Sequence, residues 1–230
     1  MRSYIYILLL ISIISKRPQA KIDVYIESLC PDCIDFVEKS FEPYYNFNIS
    51  LAEVNFIPFG NAKEFYNKET KKYEFECQHK ENECYGNLIE TCAINLLGKI
   101  KSYEIIICLD KNIMKNEKNF DKTLDLCMQN REEEKKLILD CTKSDIGNYY
   151  QHIMATKTKN HNYVPWIIVD GIHDVDAENQ ILNNMVDYLC HLYGNDCQDY
   201  YYNSKRKSFN SFKNFNYHRS RCYNDGKEYI

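Results

Sequence analysis

Cys30-Pro31-Asp32-Cys33 places two thiols one helical turn apart, behind the apolar run Ile22-Asp23-Val24-Tyr25-Ile26 and ahead of Ile34, Val37 and Phe41. A cysteine at a helix start meets unpaired backbone N–H groups and the positive end of the macrodipole, both of which favour its thiolate. Cys30 is therefore the candidate nucleophile, the more exposed of the two, and Cys33 is placed to resolve a mixed disulfide. The same spacing also suits a permanent staple or half of a zinc site.

A second constellation gathers Cys77, Cys84 and Cys92 around His79. Thiolates and an imidazole are suitable zinc ligands, whereas in an oxidising compartment the same cysteines pair as disulfides. The chain has 230 residues, a formal net charge of -4 and 11 cysteines. That charge gives no reason to invoke nucleic acid. Met1-Arg2 and the apolar segment Tyr4 to Ile14 read as a secretory signal, with cleavage after Ser15 or Ala20, because the run falls short of the ~20 residues that span a bilayer. No later segment is long and apolar enough to cross a membrane, and Asn48-Ile49-Ser50 is a glycosylation sequon. The expectation is a mature protein in a secreted or endolysosomal lumen, with no transmembrane segment.

The elements that position the dithiol follow from periodicity. Lys21 to Leu29 alternates like a strand buried on one face, and Ile49 to Pro58 reads as a second strand, parallel to the first because a helix joins them. That helix should stop near Pro43. Tyr163-Val164-Pro165-Trp166-Ile167-Ile168-Val169 supplies a further strand, Asp170-Gly171 a hairpin turn, and Ala177 to Tyr193 a helix. Strand, C-x-x-C, helix and strand form the first half of a thioredoxin-like unit. Its second half lies about a hundred residues downstream, beyond an insertion at about 60–162 that reads as a polar loop and then helices. Residues 21–197 form one α/β domain, and 198–230 read as a flexible basic tail.

The stretch from Cys77 to Cys92 resembles the signature of the gamma-interferon-inducible lysosomal thiol reductase family, C-Q-H-G-x-x-E-C-x-x-N-x-x-x-x-C. It departs only at Lys80, where the family has glycine and a positive-φ turn would favour it. The likeness extends to the C-x-x-C, to Tyr163-Val164-Pro165-Trp166 and to cysteines 108, 127, 141, 190 and 197. It implies a thioredoxin fold with a helical insertion, and reduction of protein disulfides in an acidic setting with electrons from a thiol donor, without organic cofactor or metal. It further implies that Pro165 is cis and faces the dithiol, with Val164 offering backbone groups to an extended substrate.

Near pH 5 an ordinary thiol of pKa ~8.5 is only about three parts in ten thousand thiolate. Depressing it by ~3 units requires ~4 kcal/mol, to which an ionised Asp32 would contribute with the wrong sign. Outside the dithiol, Cys77, Cys84, Cys92, Cys108, Cys127, Cys141, Cys190 and Cys197 are the structural set, with 105 connectivities open. Cys190 and Cys197 are the first pair to consider, since Gly194 lets a helix end turn back. Cys222 is left over, to be unpaired, linked to another chain or removed. A competing reading keeps the fold as a secreted, redox-inactive binding protein.

Overall fold

The structure, a computed structural model, describes residues 19–47, 51–193, 197 and 222–223. The signal segment, Asn48, Gly194 and most of the tail lie outside the described residues.

β1 (Ala20–Ile26) is the central strand of a three-stranded sheet of order β2-β1-β6. β2 (Ala52–Pro58) runs parallel to it with Val24 opposite Phe56, and β6 (Trp166–Val169) runs antiparallel with Val24 opposite Ile167. A strand with neighbours on both sides and helices above it must be apolar, and Ile22, Val24 and Ile26 are all buried.

Three helical segments continue directly from the dithiol: α1 (Pro31–Phe36), a π-helical turn (Val37–Phe41) and α2 (Glu42–Asn46). The rod thus runs past Pro43 rather than stopping there. In the π turn the Glu42 N–H reaches back to the Val37 carbonyl. Pro43, which has no N–H to give, directly follows this i→i−5 bond, where the regular i→i−4 ladder is already interrupted.

The region after Gly60 holds a hairpin, β3 (Lys63–Asn67) and β4 (Lys72–Glu76), where a polar loop was expected. Within the hairpin, β3 shows no apolar alternation; in β4 Tyr73 and Phe75 alternate with Lys72, Glu74 and Glu76 and are half-buried, Phe75 against Phe59 and Tyr73 against His152. Its turn is built by Asn67, whose Oδ1 accepts from the N–H groups of Glu69 and Thr70 at 2.9 and 3.1 Å.

Five helices follow: α3 (Lys80–Leu97), α4 (Lys99–Ile113), α5 (Phe120–Cys127), α6 (Glu132–Thr142) and α7 (Asp145–Lys157). The stretch 103–109, ambiguous by periodicity, lies within α4. Disulfides Cys92–Cys141 and Cys108–Cys127 tie α3 to α6 and α4 to α5. β5 (Tyr163–Val164) precedes β6, Asp170 and Gly171 make a tight turn at φ 50° and 84°, and α8 (Val175–Tyr193) completes the fold. The hairpin signalled at Asp170-Gly171 shrinks to one bridge, Val169 with Ile172, because the chain turns into α8 at Val175.

Two apolar clusters meet at the dithiol. Cys30 and Cys33 belong to the one built on the sheet, α1 and α8, while their flanking residues Leu29 and Ile34 belong to the one built on α3 to α6. α3 seals this junction: the Ser28 N–H donates to Asn87 Oδ1 at 2.9 Å and the Ser28 hydroxyl donates to the Glu83 carbonyl at 3.1 Å. The close approach is allowed by Gly86, where a Cβ would sit 2.3 Å from Ser28 Oγ and 2.2 Å from Phe120 Cζ.

Gly86→Ala adds helix propensity of about 1 kcal/mol, but forces apart a packed junction at a cost of about 1–3 kcal/mol or more. The clash is expected to win, because part of it lies against a ring fixed in the core. Thermal unfolding should show a lower Tm for Gly86→Ala; an unchanged or raised Tm contradicts the packing.

Candidate active site

Cys30 is the N-cap of α1, with extended backbone (φ -72°, ψ 118°) and Pro31 following it. The Cys30 side chain makes no capping hydrogen bond to the first turn of α1. The expectation that Cys30 is exposed is not met: it is fully buried, because its sulfur is bonded to Cys222. Cys222 is accordingly not the spare cysteine. The free one is Cys33, which is buried, with its sulfur accepting from the Glu27 N–H at 3.4 Å. Burial, then the charges of Glu27, Asp110 and Asp32, push the Cys33 thiol well above its ordinary value, against the pull of that N–H.

The other eight cysteines are bonded Cys77–Cys84, Cys92–Cys141, Cys108–Cys127 and Cys190–Cys197. None of the sulfurs around His79 is a thiolate available to a metal.

Facing the dithiol is the β5-to-β6 segment. Its Val164–Pro165 bond is cis, and the Val164 carbonyl lies 3.8 Å from Cys30 Sγ. Part of the tail reaches the same place: Cys222 and Tyr223 form β7, antiparallel to β5, with Val164 opposite Cys222 and Tyr163 opposite Tyr223. Cys222–Tyr223 is thus an ordered strand within a stretch read from sequence as a flexible tail, and a covalent bond and a strand edge hold it.

Glu178 fastens the segment from behind. Fully buried, it accepts from the Tyr163 hydroxyl at 2.8 Å and from the Ile167 N–H at 3.1 Å, on either side of Pro165. Trp166 is only partly buried and stacks on His173, with ring centroids 3.5 Å apart.

Comparison with known proteins identifies the family of the chain. Residues 21–143 match the family model described as gamma interferon inducible lysosomal thiol reductase (GILT). A gamma-interferon-inducible lysosomal thiol reductase of Carassius auratus is 32% identical over 184 residues, covering 75% of this chain and 68% of the relative. An Arabidopsis thaliana gamma-interferon-responsive lysosomal thiol protein is 30% identical, covering 77% of this chain and 72% of its own, and the Mus musculus reductase is 30% identical, covering 76% and 68%. The chain belongs to the GILT family. Membership makes it a thiol reductase, an oxidoreductase that acts on disulfides.

The structure shows what the GILT signature residues do in this chain. Lys80 has φ 66°, so the left-handed turn is kept although lysine stands at the glycine position. His79 bonds to the buried Glu83: its N–H donates to Oε1 at 3.1 Å and its Nδ1 lies 2.6 Å from Oε2. Asn87 holds Ser28, two residues ahead of Cys30. Gln78 donates to the Tyr223 carbonyl at 2.7 Å.

Asn61 and Glu27 are the residues that sequence reading missed. Asn61 Nδ2 donates to the Cys222 carbonyl at 3.0 Å and to Gln78 Oε1 at 2.8 Å. The Asn61 N–H donates to Glu27 Oε1 at 2.6 Å, in a turn whose Gly60, at φ 55°, leaves no room for a Cβ beside the Glu27 side chain. No motif marks either residue; the only signal was an acid, Glu27, at the buried end of an apolar strand.

Glu27, His79 and Glu83 place ligand atoms within 4.8 Å of one another, as do Cys30, Asp32 and Cys222. In the second group both sulfurs are committed to a disulfide. In the first, Glu83 and Glu27 are engaged by the His79 and Asn61 N–H groups respectively.

The site rests on a buried acidic layer. Burial pushes Glu27, Glu90 and Asp110 well above the usual carboxylate range, with the nearby charge of Glu83 adding to Glu27, that of Asp110 to Glu90, and that of Glu38 to Asp110. Both Glu90 carboxyl oxygens are buried without a hydrogen-bond partner, which only a neutral acid tolerates.

These acids stay protonated in the folded chain at pH values where the unfolded chain, with ordinary carboxylates, has lost its protons. The folded state then binds more protons, so this stabilisation is complete below the ordinary carboxylate pKa of about 4 and is lost as pH rises through the raised values. Tm should fall from about pH 5 to about pH 8, and Glu90→Gln, a neutral isostere, should flatten the fall. A wild-type Tm that rises over that interval, or an unchanged slope in Glu90→Gln, contradicts the protonated layer.

Proposed function

We propose that the chain is a thioredoxin-like reductase of protein disulfides in which Cys30 is the nucleophile and Cys33 the resolving thiol. The observation that carries this reading is Cys30 at a helix N-cap, already sharing a disulfide beside the Val164–Pro165 edge. Sheet order β2-β1-β6, with the C-x-x-C after the central strand and the Val164 carbonyl opposite it, supports the thioredoxin-like assignment.

With Cys30 and Cys33 reduced, the Cys30 thiolate attacks one sulfur of a substrate disulfide. One substrate thiolate leaves and takes up a proton, and a Cys30–substrate disulfide forms. Cys33 then loses its proton and attacks Cys30 Sγ. The second substrate thiolate leaves, and the enzyme is oxidised to Cys30–Cys33 as the substrate gains two electrons and two protons. A thiol donor returns those electrons. The Glu27 N–H, which donates to Cys33 Sγ at 3.4 Å, favours the thiolate formed in that second deprotonation. Val164 and Pro165 position the substrate strand.

The apolar start, the Asn48 sequon and the lysosomal names of the relatives support a secreted or endolysosomal lumen. A protonated acidic layer suits acid conditions. Among the described residues no helix is long and apolar enough to cross a membrane.

Fully reduced protein, assayed on a disulfide-bonded protein between about pH 4 and 7, should lose at least about 100-fold in rate as Cys30→Ser. Cys33→Ser should accumulate the mixed disulfide on Cys30. Wild-type activity in Cys30→Ser would end the assignment.

The second reading, a redox-inactive binding protein, draws on the same bond, since Cys30 has no free thiol while Cys222 holds it. A redox titration separates the two. A potential below about -300 mV fits a permanent staple, and a higher one fits an exchanging bond.

A further inference from the structure

The partner of Cys30 is unlike the other disulfides of the chain. Four of them join residues within the domain, while this one brings in Cys222, a residue beyond the domain's last disulfide, at a sequence separation of 192. The chain between positions 197 and 222 has an extended reach of ~80 Å, so the tether does not force the contact. Local complementarity selects it.

That complementarity is addressed to backbone. Cys222 pairs with Val164 and Tyr223 with Tyr163 as an antiparallel strand. On the other side Asn61 donates to the Cys222 carbonyl and Gln78 to the Tyr223 carbonyl. The two amides are bonded to each other, and Asn61 is further held by Glu27 and by His161, whose Nε2 lies 3.0 Å from Asn61 Oδ1. Of the two described residues of the tail, Cys222 is engaged through its sulfur and Tyr223 through its ring, which meets Tyr163 edge-on with centroids 5.8 Å apart. A half-cystine in an extended strand, clamped through its own and the next carbonyl, is the form a disulfide-bearing peptide takes as a mixed disulfide with Cys30.

We propose that the Cys222 segment is a tethered stand-in for substrate that fills the peptide-binding edge and keeps Cys30 latent, and that Asn61 and Gln78 are the specificity-determining residues that hold the backbone of any peptide lying there. This inference rests on the thiol exchange assigned to Cys30 above. The substrate class it names is an extended peptide with a half-cystine opposite Val164, read by main chain and therefore tolerant of sequence, with an aromatic residue after the cysteine favoured by Tyr163.

Release has a balanced chemistry. Cys33 gives up its proton and its thiolate attacks Cys30 Sγ; the electron pair of the Cys30–Cys222 bond leaves with Cys222, which takes up a proton. Disulfide number is unchanged, and the Cys30–Cys33 bond then needs two equivalents of a small thiol, oxidised to its own disulfide, to yield the working dithiol. Burial of Cys33 beside Glu27 and Asp32 keeps it protonated and the tail in place.

The test uses the full secreted chain, purified without reductant and with free thiols blocked for peptide mapping. Cys30 should be found linked to Cys222 within a monomer. Insulin reduction driven by free cysteine should then begin with a lag in unblocked wild type and none in Cys222→Ser, with initial rates about tenfold apart that converge after full reduction. In the Cys222→Ser background, Gln78→Ala should raise KM for insulin about fivefold, the loss of one neutral hydrogen bond, with kcat unchanged. Cys30 linked to Cys33 in the isolated monomer, Cys222 linked between two chains, an equal lag in Cys222→Ser, or an unchanged KM in Gln78→Ala each overturn the proposal. The two readings fail differently: a fully reduced Cys222→Ser that cannot reduce insulin defeats the thiol exchange itself, whereas an active one that retains the lag defeats only the tether.

Discussion

The hydrogen bonds from Ser28 to α3 are the constraint on which the rest depends. A C-x-x-C turn has little side chain of its own with which to fix its position, so it takes its position from what its neighbours pack against. Here Leu29 and Ile34 are anchored among the helices while Cys30 and Cys33 face the sheet cluster, and Asn87 and Glu83 close the joint through Ser28. The inserted helices are therefore a second wall of the site. Their disulfides matter for the same reason, since Cys92–Cys141 secures α3 directly.

Electrostatics in this wall are set by exclusion of water more than by pairing. Glu27, Glu90 and Asp110 lie within or beside apolar clusters and remain neutral in acid, where an ionised layer would repel itself. The dithiol is asymmetric in consequence. Cys30 stands at the N–H-rich end of α1, and Cys33 sits among buried acids that oppose its ionisation. That division suits an attacking thiol and a resolving thiol that acts only once a base removes its proton.

Much of the framework was legible in the chain. β1, β2 and α8 announce themselves by period, because one face of each is more buried than the other over much of its length. The GILT signature identified the family, and the position of Lys80 correctly marked a left-handed turn. The β3–β4 hairpin was harder to read, since β3 lacks alternation, the alternating Tyr73 and Phe75 of β4 are only half-buried, and the turn is owed to Asn67. The passage of the helix beyond Pro43 was not legible either, because a π turn is a matter of which carbonyl an N–H reaches and leaves no mark in composition.

The sequence by itself determined local chemistry: two thiols one turn apart, a helix start to activate one of them, and a family signature in which three cysteines surround a histidine. Only the tertiary structure decided which groups face one another over long separations. It brings Asn61, Gln78 and Val164 around a strand from the tail, sets Glu27 beside Cys33, and gives Cys222 rather than Cys33 to Cys30. Periodicity reports burial within one element, whereas a disulfide or a carbonyl clamp depends on the relative placement of elements that no local spacing encodes.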